Sequence, residues 1–379
     1  MTVHDSLKLY MLYFYETIVF HVTNYNVIMQ ALLGVLFHFI GGFASGSFYI
    51  PYKKVKGWSW ESYWIVGGIF SWLVVPLVAA WFTVPGFMDI IRSTEGSVLF
   101  WTYFLGVLWG IGGLTFGLSM RYLGMSLGMA VALGFCSAFG ALIPPIYRGL
   151  FTNDPNTFGA MLHTSRGMYV LLGVAVCLVG IAICGRAGML KEKELSAEQK
   201  TESIKEFDLR KGLAVAIVSG ILSACMSFAI SAGNSMGKAA EANNANPLFR
   251  NNVIFVVIML GGLTTNFIWC MILNTRNQSF NDYTNKETPL VKNYVFAAIA
   301  GTTWFLQFFF YGMGESKLGN DASSWILHMA FIILISGMWG FVLKEWKNAS
   351  KKTFATISLG IFTIILSVVL VGYGNSLEN

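Results

Sequence analysis

Two histidines are the residues of this sequence best suited to acid–base chemistry in an apolar environment. His38 and His328 each lie away from the ends of a long apolar stretch. Imidazole has an ordinary pKa of about 6.5, so it binds and releases protons near neutral pH. We therefore predict that His38 and His328 carry coupling protons. Two alternatives stay open for each, namely a hydrogen bond to a neighbouring helix and direct contact with a bound solute.

An aromatic face late in the chain is suited to binding a ring-shaped polar solute. Trp304, Gln307, Phe308 and Tyr311 recur every three or four residues, so they share one face of a helix. Indole can stack on the apolar side of a sugar ring while the amide and the phenol bond its hydroxyls. Contact with lipid or with a neighbouring helix is the alternative. The further residues predicted to contact a substrate are Tyr49, Trp72, Trp109, Asn266 and Trp325, together with the two histidines.

Charged residues are absent from the middle of every apolar stretch, which restricts the solute. Glu61, Glu315 and Asp321 lie at predicted helix ends, and no Lys or Arg lies deeper. A cation would need a buried carboxylate and an anion a buried base, so a neutral polar solute is expected. The five cysteines all lie in apolar stretches without metal-ligand spacing. We expect neither a metal nor a cofactor.

The elements that must position these residues are membrane-spanning helices. The 379 residues are 55% hydrophobic and 12% charged, a balance that does not suit a water-exposed globular surface. A helix of about 20 residues crosses about 30 Å of hydrocarbon, and the apolar stretches have this length without the alternation of a membrane barrel. An all-α membrane protein is predicted. Its ten spans are 27–50, 62–82, 98–119, 125–147, 167–185, 211–233, 252–273, 293–314, 323–343 and 354–373.

The chain divides into two similar halves. GFAS at 42–45 resembles GILS at 220–223, and Leu-Gly pairs at 123–124 and 318–319 occupy matching places. Because five helices is an odd number, two consecutive copies insert in opposite senses, as in transporters that expose a central site alternately to each side. The predicted divisions are an extension at 1–26 (an interfacial helix, or sequence before the native start), inverted five-helix repeats at 27–185 and 211–373, a cytoplasmic linker at 186–210 and a tail at 374–379.

Glycines four residues apart predict that helices pack closely, because small residues let backbones approach each other. Pairs with this spacing are Gly42/Gly46, Gly106/Gly110, Gly113/Gly117 and Gly124/Gly128. We expect these faces at helix–helix contacts.

Basic residues concentrate in alternate loops, after the first, third, fifth, seventh and ninth spans. The positive-inside rule places these loops in the cytoplasm and both chain termini outside. The same bias accounts for the net charge of +6, so no nucleic-acid partner is expected. Lys53, at the cytoplasmic end of span one, is predicted to anchor the helix at the membrane surface, with a gating contact as the alternative. Arg121, at the cytoplasmic end of span three, is a further candidate for gating.

Motifs for catalysis or nucleotide binding are missing from the sequence. There is no HExxH, and GNSMGKA at 233–239 lacks the spacing and hydroxyl of a phosphate-binding loop. A secondary transporter is therefore favoured over an enzyme. Two alternatives are a proton-independent exporter or exchanger of another small neutral metabolite, and a membrane sugar sensor that binds without transporting. The lack of a sizeable soluble output domain argues against a sensor.

Seven short segments, in order along the chain, carry a family resemblance. They are FYIPYKKVK (48–56), WSWE (58–61), MRYLGMS (120–126), GRAG (185–188), MSFA (226–229), WFLQFFFY (304–311) and LKEW (343–346). Through these segments the chain closely resembles, over about residues 27–375, the bacterial L-rhamnose–proton symporter family of the drug/metabolite transporter superfamily.

The resemblance implies a ten-helix symporter of the bacterial inner membrane, built from two inverted halves. It further implies uptake of L-rhamnose, or a closely related deoxy sugar, together with protons. FHFIG at 37–41 and LHM at 327–329 also look like the family's segments. Any family role at these positions would therefore carry over to His38 and His328.

Overall fold

All ten predicted spans are helical. The computed structural model describes residues 26–123, 125–152, 156–194, 209–342 and 349–377. Ten helices in these ranges are long and apolar enough to cross a membrane, which confirms a multi-pass membrane protein. They are α1 (Asn26–Tyr52), α2 (Trp60–Thr83), α3 (Gly96–Leu123), α4 (Met125–Phe151), α5 (Ser165–Glu194), α6 (Leu209–Ala232), α7 (Asn252–Asn277), α8 (Leu290–Leu318), α9 (Asp321–Val342) and α10 (Lys351–Ser376). The predicted extension at 1–26 lies outside the described residues except for Asn26, as does most of the linker.

Several helices continue past the predicted ends of the apolar stretches. The helix α8 runs to Leu318 and ends at Gly319, whose φ of 60° is a left-handed conformation that favours glycine. Glu315 therefore lies inside the last turn of a membrane helix and is 6% exposed. Hydropathy placed the end of this span too early, because the polar residues 315–317 interrupt the apolar run without interrupting the helix.

Glycines set the closest approaches between helices. A Cβ added at Gly46 would lie 2.6 Å from the Ile335 side chain of α9, and one at Gly110 would lie 3.0 Å from Thr265 of α7. These contacts confirm the predicted packing of the Gly42/Gly46 and Gly106/Gly110 pairs. The prediction is wrong for Gly113 and Gly117, because no described atom lies within 4 Å of a Cβ added at either position. Spacing alone does not show which face of a helix meets a neighbour.

Helices of one predicted half pack on helices of the other, and these contacts form two corresponding sets. In one set α3 packs on α6 and α7, and α4 packs on α6. In the other set α8 packs on α2 and, like α9, on α1. In addition, α4 packs on α3, α5 and α9, and α5 packs on α10. This exchange of partners is what a two-fold relation between the halves would produce, and it supports the predicted repeat.

A polar contact fastens the end of α5 to the start of α10. Glu194 accepts hydrogen bonds from the Ser350 backbone N–H at 2.8 Å and from the Ser350 and Thr353 hydroxyls. The Ser350 and Thr353 hydroxyls, with the Ser350 N–H, hold the pKa of the Glu194 carboxyl below its usual value. These hydrogen bonds hold the end of α5 against the start of α10.

Candidate substrate and proton site

Two imidazoles and a phenol form a buried cluster between three helices. His38 of α1 and His328 of α9 have ring centroids 6.0 Å apart. The Tyr311 ring of α8 lies 5.3 Å from each of them. No described residue makes a hydrogen bond to any of the four imidazole nitrogens. Since buried polar atoms are almost always hydrogen-bonded, these nitrogens are the groups best placed to bind a proton, a water or a solute.

Glycine backbones allow the two histidines to meet. A Cβ at Gly314 of α8 would lie 2.6 Å from Nε2 of His38, so only glycine leaves room for this imidazole. A Cβ at Gly41, one turn after His38, would lie 2.9 Å from the Gln307 carbonyl oxygen and 3.3 Å from Cε1 of His328. The close approach of α1 to α8 and α9 therefore depends on small residues beside the imidazoles.

A cavity lined by aromatic rings lies among α1, α2 and α8. Its volume is about 10 Å³, far below the roughly 300–1,000 Å³ of typical ligand pockets, so a sugar fits only if the helices around it move apart. None of its lining residues carries a charge. The lining consists of Phe48, Tyr52, Trp64, Gly68, Ser71, Trp72, Gly301 and Trp304. Such a lining favours the apolar face of a neutral ring over an ion.

A local irregularity of α2 shapes one wall of this cavity. Residues Phe70–Val74 form a π-helical turn in which the Val75 N–H donates to the Phe70 carbonyl. Pro76 follows directly and has no N–H to continue the α-helical pattern. Turns of this kind are frequent at functional sites, and this one carries Trp72 into the cavity lining. The Trp72 indole N–H is buried without a described partner, so it can donate to a solute hydroxyl.

Aromatic contacts connect the cavity to the imidazole cluster. Trp304 of the cavity lies 5.1 Å from Phe308, measured between ring centroids. Phe308 in turn lies 6.5 Å from the His328 ring. Trp109 of α3 packs against both Trp304, at 5.4 Å, and Phe308, at 5.7 Å. The cavity and the imidazoles are thus separated by a single aromatic side chain, that of Phe308.

Polar contacts join helices and loops at the end of the bundle that holds the loop between α1 and α2. The Lys56 backbone N–H donates to the Asn293 side chain at 3.0 Å, and Asn293 donates back to the Lys56 carbonyl at 2.8 Å. Glu61 accepts from the Ser279 hydroxyl at 2.6 Å. Ser62 donates to Asp282 at 2.8 Å.

Two ion pairs join helices at the opposite end of the bundle. Arg148 of α4 pairs with Asp321 of α9 at 2.6 Å. Arg250, just before α7, pairs with Glu315 of α8 at 2.9 Å. Polar contacts therefore join the helices at both ends of the bundle.

Comparisons with known proteins bear on what this arrangement does. Residues 26–377 match the family model described as L-rhamnose-proton symport protein (RhaT). The chain belongs to this family. It is 40% identical over 347 residues to proteins named L-rhamnose-proton symporter from Klebsiella pneumoniae (strain 342), Salmonella paratyphi A and Cronobacter sakazakii. Each alignment covers 90% of this chain and 97% of the relative. Membership of a symport family confirms a transporter rather than an enzyme.

The predicted solute-binding residues fall into two groups in the structure. Trp72 and Trp304 line the cavity, and Trp109 packs directly behind Trp304. Gln307 is buried on the same helix face, but its side-chain amide donates to the Trp304 carbonyl at 2.9 Å. Asn266 lies one contact away, because it accepts the Trp64 indole N–H at 3.0 Å.

The other predicted residues lie further from the cavity. The Trp325 indole N–H donates to the Cys136 carbonyl at 3.0 Å, which fixes α9 against α4. Tyr49 is 44% exposed and lies outside the cavity lining. Lys53 is exposed at the end of α1. The side chain of Arg121 is outside the described part of the structure.

Sequence reasoning missed four side chains of the cavity, namely Phe48, Tyr52, Trp64 and Ser71. The density of aromatic residues around Pro51 was an available signal, since Phe48, Tyr52 and Trp64 flank it. The lysines that follow Pro51 predicted a membrane anchor instead. Glu315 lies at a helix end, as predicted, but its burial and its pairing with Arg250 were not expected. Among the described residues, no three His, Cys, Asp or Glu side chains converge as a metal site would require.

Proposed function

We propose that this protein imports L-rhamnose, or a closely related deoxy sugar, together with protons. The observation that carries the proposal is the uncharged aromatic cavity beside two buried imidazoles without hydrogen-bond partners, in a member of a symport family. The cavity suits a neutral sugar and the imidazoles suit a proton. Their separation by one side chain suits coupling between the two.

The sugar binds through ring stacking and a few directed hydrogen bonds. Trp304 and Trp64 offer faces to the apolar side of the ring, and the Trp72 N–H donates to a hydroxyl. Exchange of one methyl for one hydroxyl changes binding by about 1–3 kcal/mol, so closely related sugars compete.

The proton resides on the His38–His328 pair. Only one of two imidazoles 6.0 Å apart is readily charged in a buried site, because a second positive charge would be repelled. The protonated imidazole has the Tyr311 hydroxyl as its neighbouring acceptor. Phe308 lies between the cavity and His328 and transmits sugar binding to the imidazole pair, so binding of the sugar favours protonation and its release favours release of the proton.

Transport proceeds by alternating access between two halves, 27–185 and 211–373, inserted in opposite senses into a bacterial inner membrane. A constant interval in the sequence supports the repeat, since Trp109 and Trp304 (304 − 109 = 195), Gly106 and Gly301 (301 − 106 = 195) and Leu123 and Leu318 (318 − 123 = 195) are equally spaced. Trp109 and Trp304 are also in contact. The basic loops and the linker at 186–210 face the cytoplasm, and both termini face outward.

Uptake of a panel of labelled sugars into proteoliposomes tests this function. With an acid-outside pH gradient, L-rhamnose is expected to accumulate above its external concentration, and a protonophore is expected to abolish the accumulation. Exchange of internal for external sugar should continue without a gradient. A protein that equilibrates rhamnose but never concentrates it, or that concentrates an unrelated metabolite instead, would contradict the proposal.

A further inference from the structure

A buried carboxylate lies next to the imidazole cluster but outside the sugar cavity. Glu315 is in the last turn of α8, one turn after Tyr311, and its side chain is 8% exposed. Ionisable residues buried in membrane helices are costly and are often part of ion or proton pathways. The site described above gives this carboxylate only a structural role, as the partner of Arg250.

The counter-ion of Glu315 is shared with a second, more exposed carboxylate. Arg250 contacts Glu315 at 2.9 Å and Glu241 at 3.4 Å. The Glu241 side chain is 36% exposed, so it is in contact with water. Asn251 donates to the other oxygen of Glu315 at 2.6 Å. Arg250 can therefore remain paired with Glu241 if Glu315 becomes neutral.

The surroundings of Glu315 connect it to the imidazole cluster on one side and to a second ion pair on the other. His38 of α1 packs against Gly314, the residue immediately before Glu315. Tyr311 lies one turn before Glu315 on α8, and its ring lies 5.3 Å from the His328 ring of α9. Asp321 at the start of α9 is held by Arg148 at 2.6 Å. Arg166 of α5 donates to the Leu318 carbonyl in the same last turn of α8 at 2.6 Å. The titratable or charged groups around Glu315 thus include Arg250, Glu241, Asp321, Arg148, Arg166, Tyr311 and His38.

We propose that Glu315 exchanges the coupling proton with the solution at this end of the molecule, with Arg250 as its movable counter-ion. The inference rests on the proposed symport. A proton from the solution binds the Glu315 carboxylate, the contact to Arg250 is lost, and Arg250 keeps its contact with Glu241. The proton then leaves Glu315 for the imidazole pair, and the ion pair re-forms. One proton enters and one is passed on, so the charge of Glu315 is restored in each cycle.

The test is the Glu315→Gln variant, with Glu95→Gln, which makes the same change at an exposed carboxylate outside the site, as the matched control. Glutamine keeps an oxygen to accept from Asn251 but cannot release a proton. We expect Glu315→Gln to lose concentrative uptake, so that the internal to external ratio of rhamnose falls to about one, while exchange of internal for external rhamnose stays within about twofold of the unmodified protein. Glu95→Gln should retain concentrative uptake.

Two measurements separate a proton role from a merely structural one. The exchange rate of the unmodified protein should change with pH, and this dependence should flatten in Glu315→Gln. Rhamnose-induced quenching of tryptophan fluorescence shows whether the variant still folds and binds, and Arg250→Gln/Glu315→Gln provides a second variant without an uncompensated charge. Concentrative uptake by Glu315→Gln would overturn the inference. Loss of exchange in both Glu315→Gln and Arg250→Gln/Glu315→Gln, while each still binds sugar, would also overturn it. If the unmodified protein does not concentrate rhamnose, the proposed symport has failed instead.

Discussion

Replacement of Gly301 by alanine is expected to force α8 away from α2 and to damage the sugar cavity. A Cβ built at Gly301 would overlap the carbonyl oxygen of Gly67 and lie 2.7 Å from its carbonyl carbon. Ordinary contact begins at 3.4 Å, so the carbonyl carbon alone requires a separation of 0.7 Å (3.4 − 2.7). Both obstructing atoms belong to the backbone and cannot rotate away. Overpacking of this kind costs about 1–3 kcal/mol.

The same displacement should weaken sugar binding, because Gly301 and Trp304 line the cavity from one helix. We expect Gly301→Ala to lower the thermal unfolding midpoint in detergent and to raise the KM for rhamnose severalfold in proteoliposomes. Gly113→Ala is the matched control, since no described atom lies within 4 Å of its added Cβ. Both changes bring a similar gain in helix propensity, so their difference isolates the contact with α2. Equal midpoints and equal KM values for the two variants would refute the reasoning.

Two further predictions address the imidazoles and the cavity wall. His38→Ala and His328→Ala should each lose rhamnose accumulation driven by a pH gradient, measured in proteoliposomes, and full accumulation in both variants would exclude proton carriage by this pair. Trp304→Ala should raise the KM for rhamnose about tenfold, equivalent to about 1.4 kcal/mol, because it removes a stacking face from the cavity. Trp101→Ala is its control because Trp101 is 53% exposed on the outer surface of α3, and equal KM values in the two variants would count against a sugar in this cavity.

Sequence alone predicted the number and type of the helices because each one had to be long and apolar enough to cross the bilayer. It predicted their ends less well. Glu315 shows the reason, since hydropathy decreases at a charged residue whereas the helix continues until Gly319 ends it. Glycine spacing predicted the contacts of Gly42 and Gly106 but failed for Gly113, because the same spacing occurs on faces that meet no neighbour.

The site was predictable residue by residue but not as an arrangement. His38 and His328 were identified from their chemistry, yet their contact depends on the approach of α1 to α9, which no local pattern encodes. Trp304 was found from helical spacing, whereas Trp64 was not, because the cavity draws side chains from three helices. The pairing of Glu315 with Arg250 joins residues 65 positions apart and could be seen only in the folded chain.

Simultaneous recording of sugar and proton movement tests the central claim most directly. Proteoliposomes with no imposed gradient are given external L-rhamnose while the pH of a weakly buffered medium is followed. For the unmodified protein, the account predicts that the medium becomes alkaline as rhamnose enters and that both signals begin together. Both signals are expected to be lost in the His38→Ala/His328→Ala double variant. Entry of rhamnose with no change in external pH would contradict it.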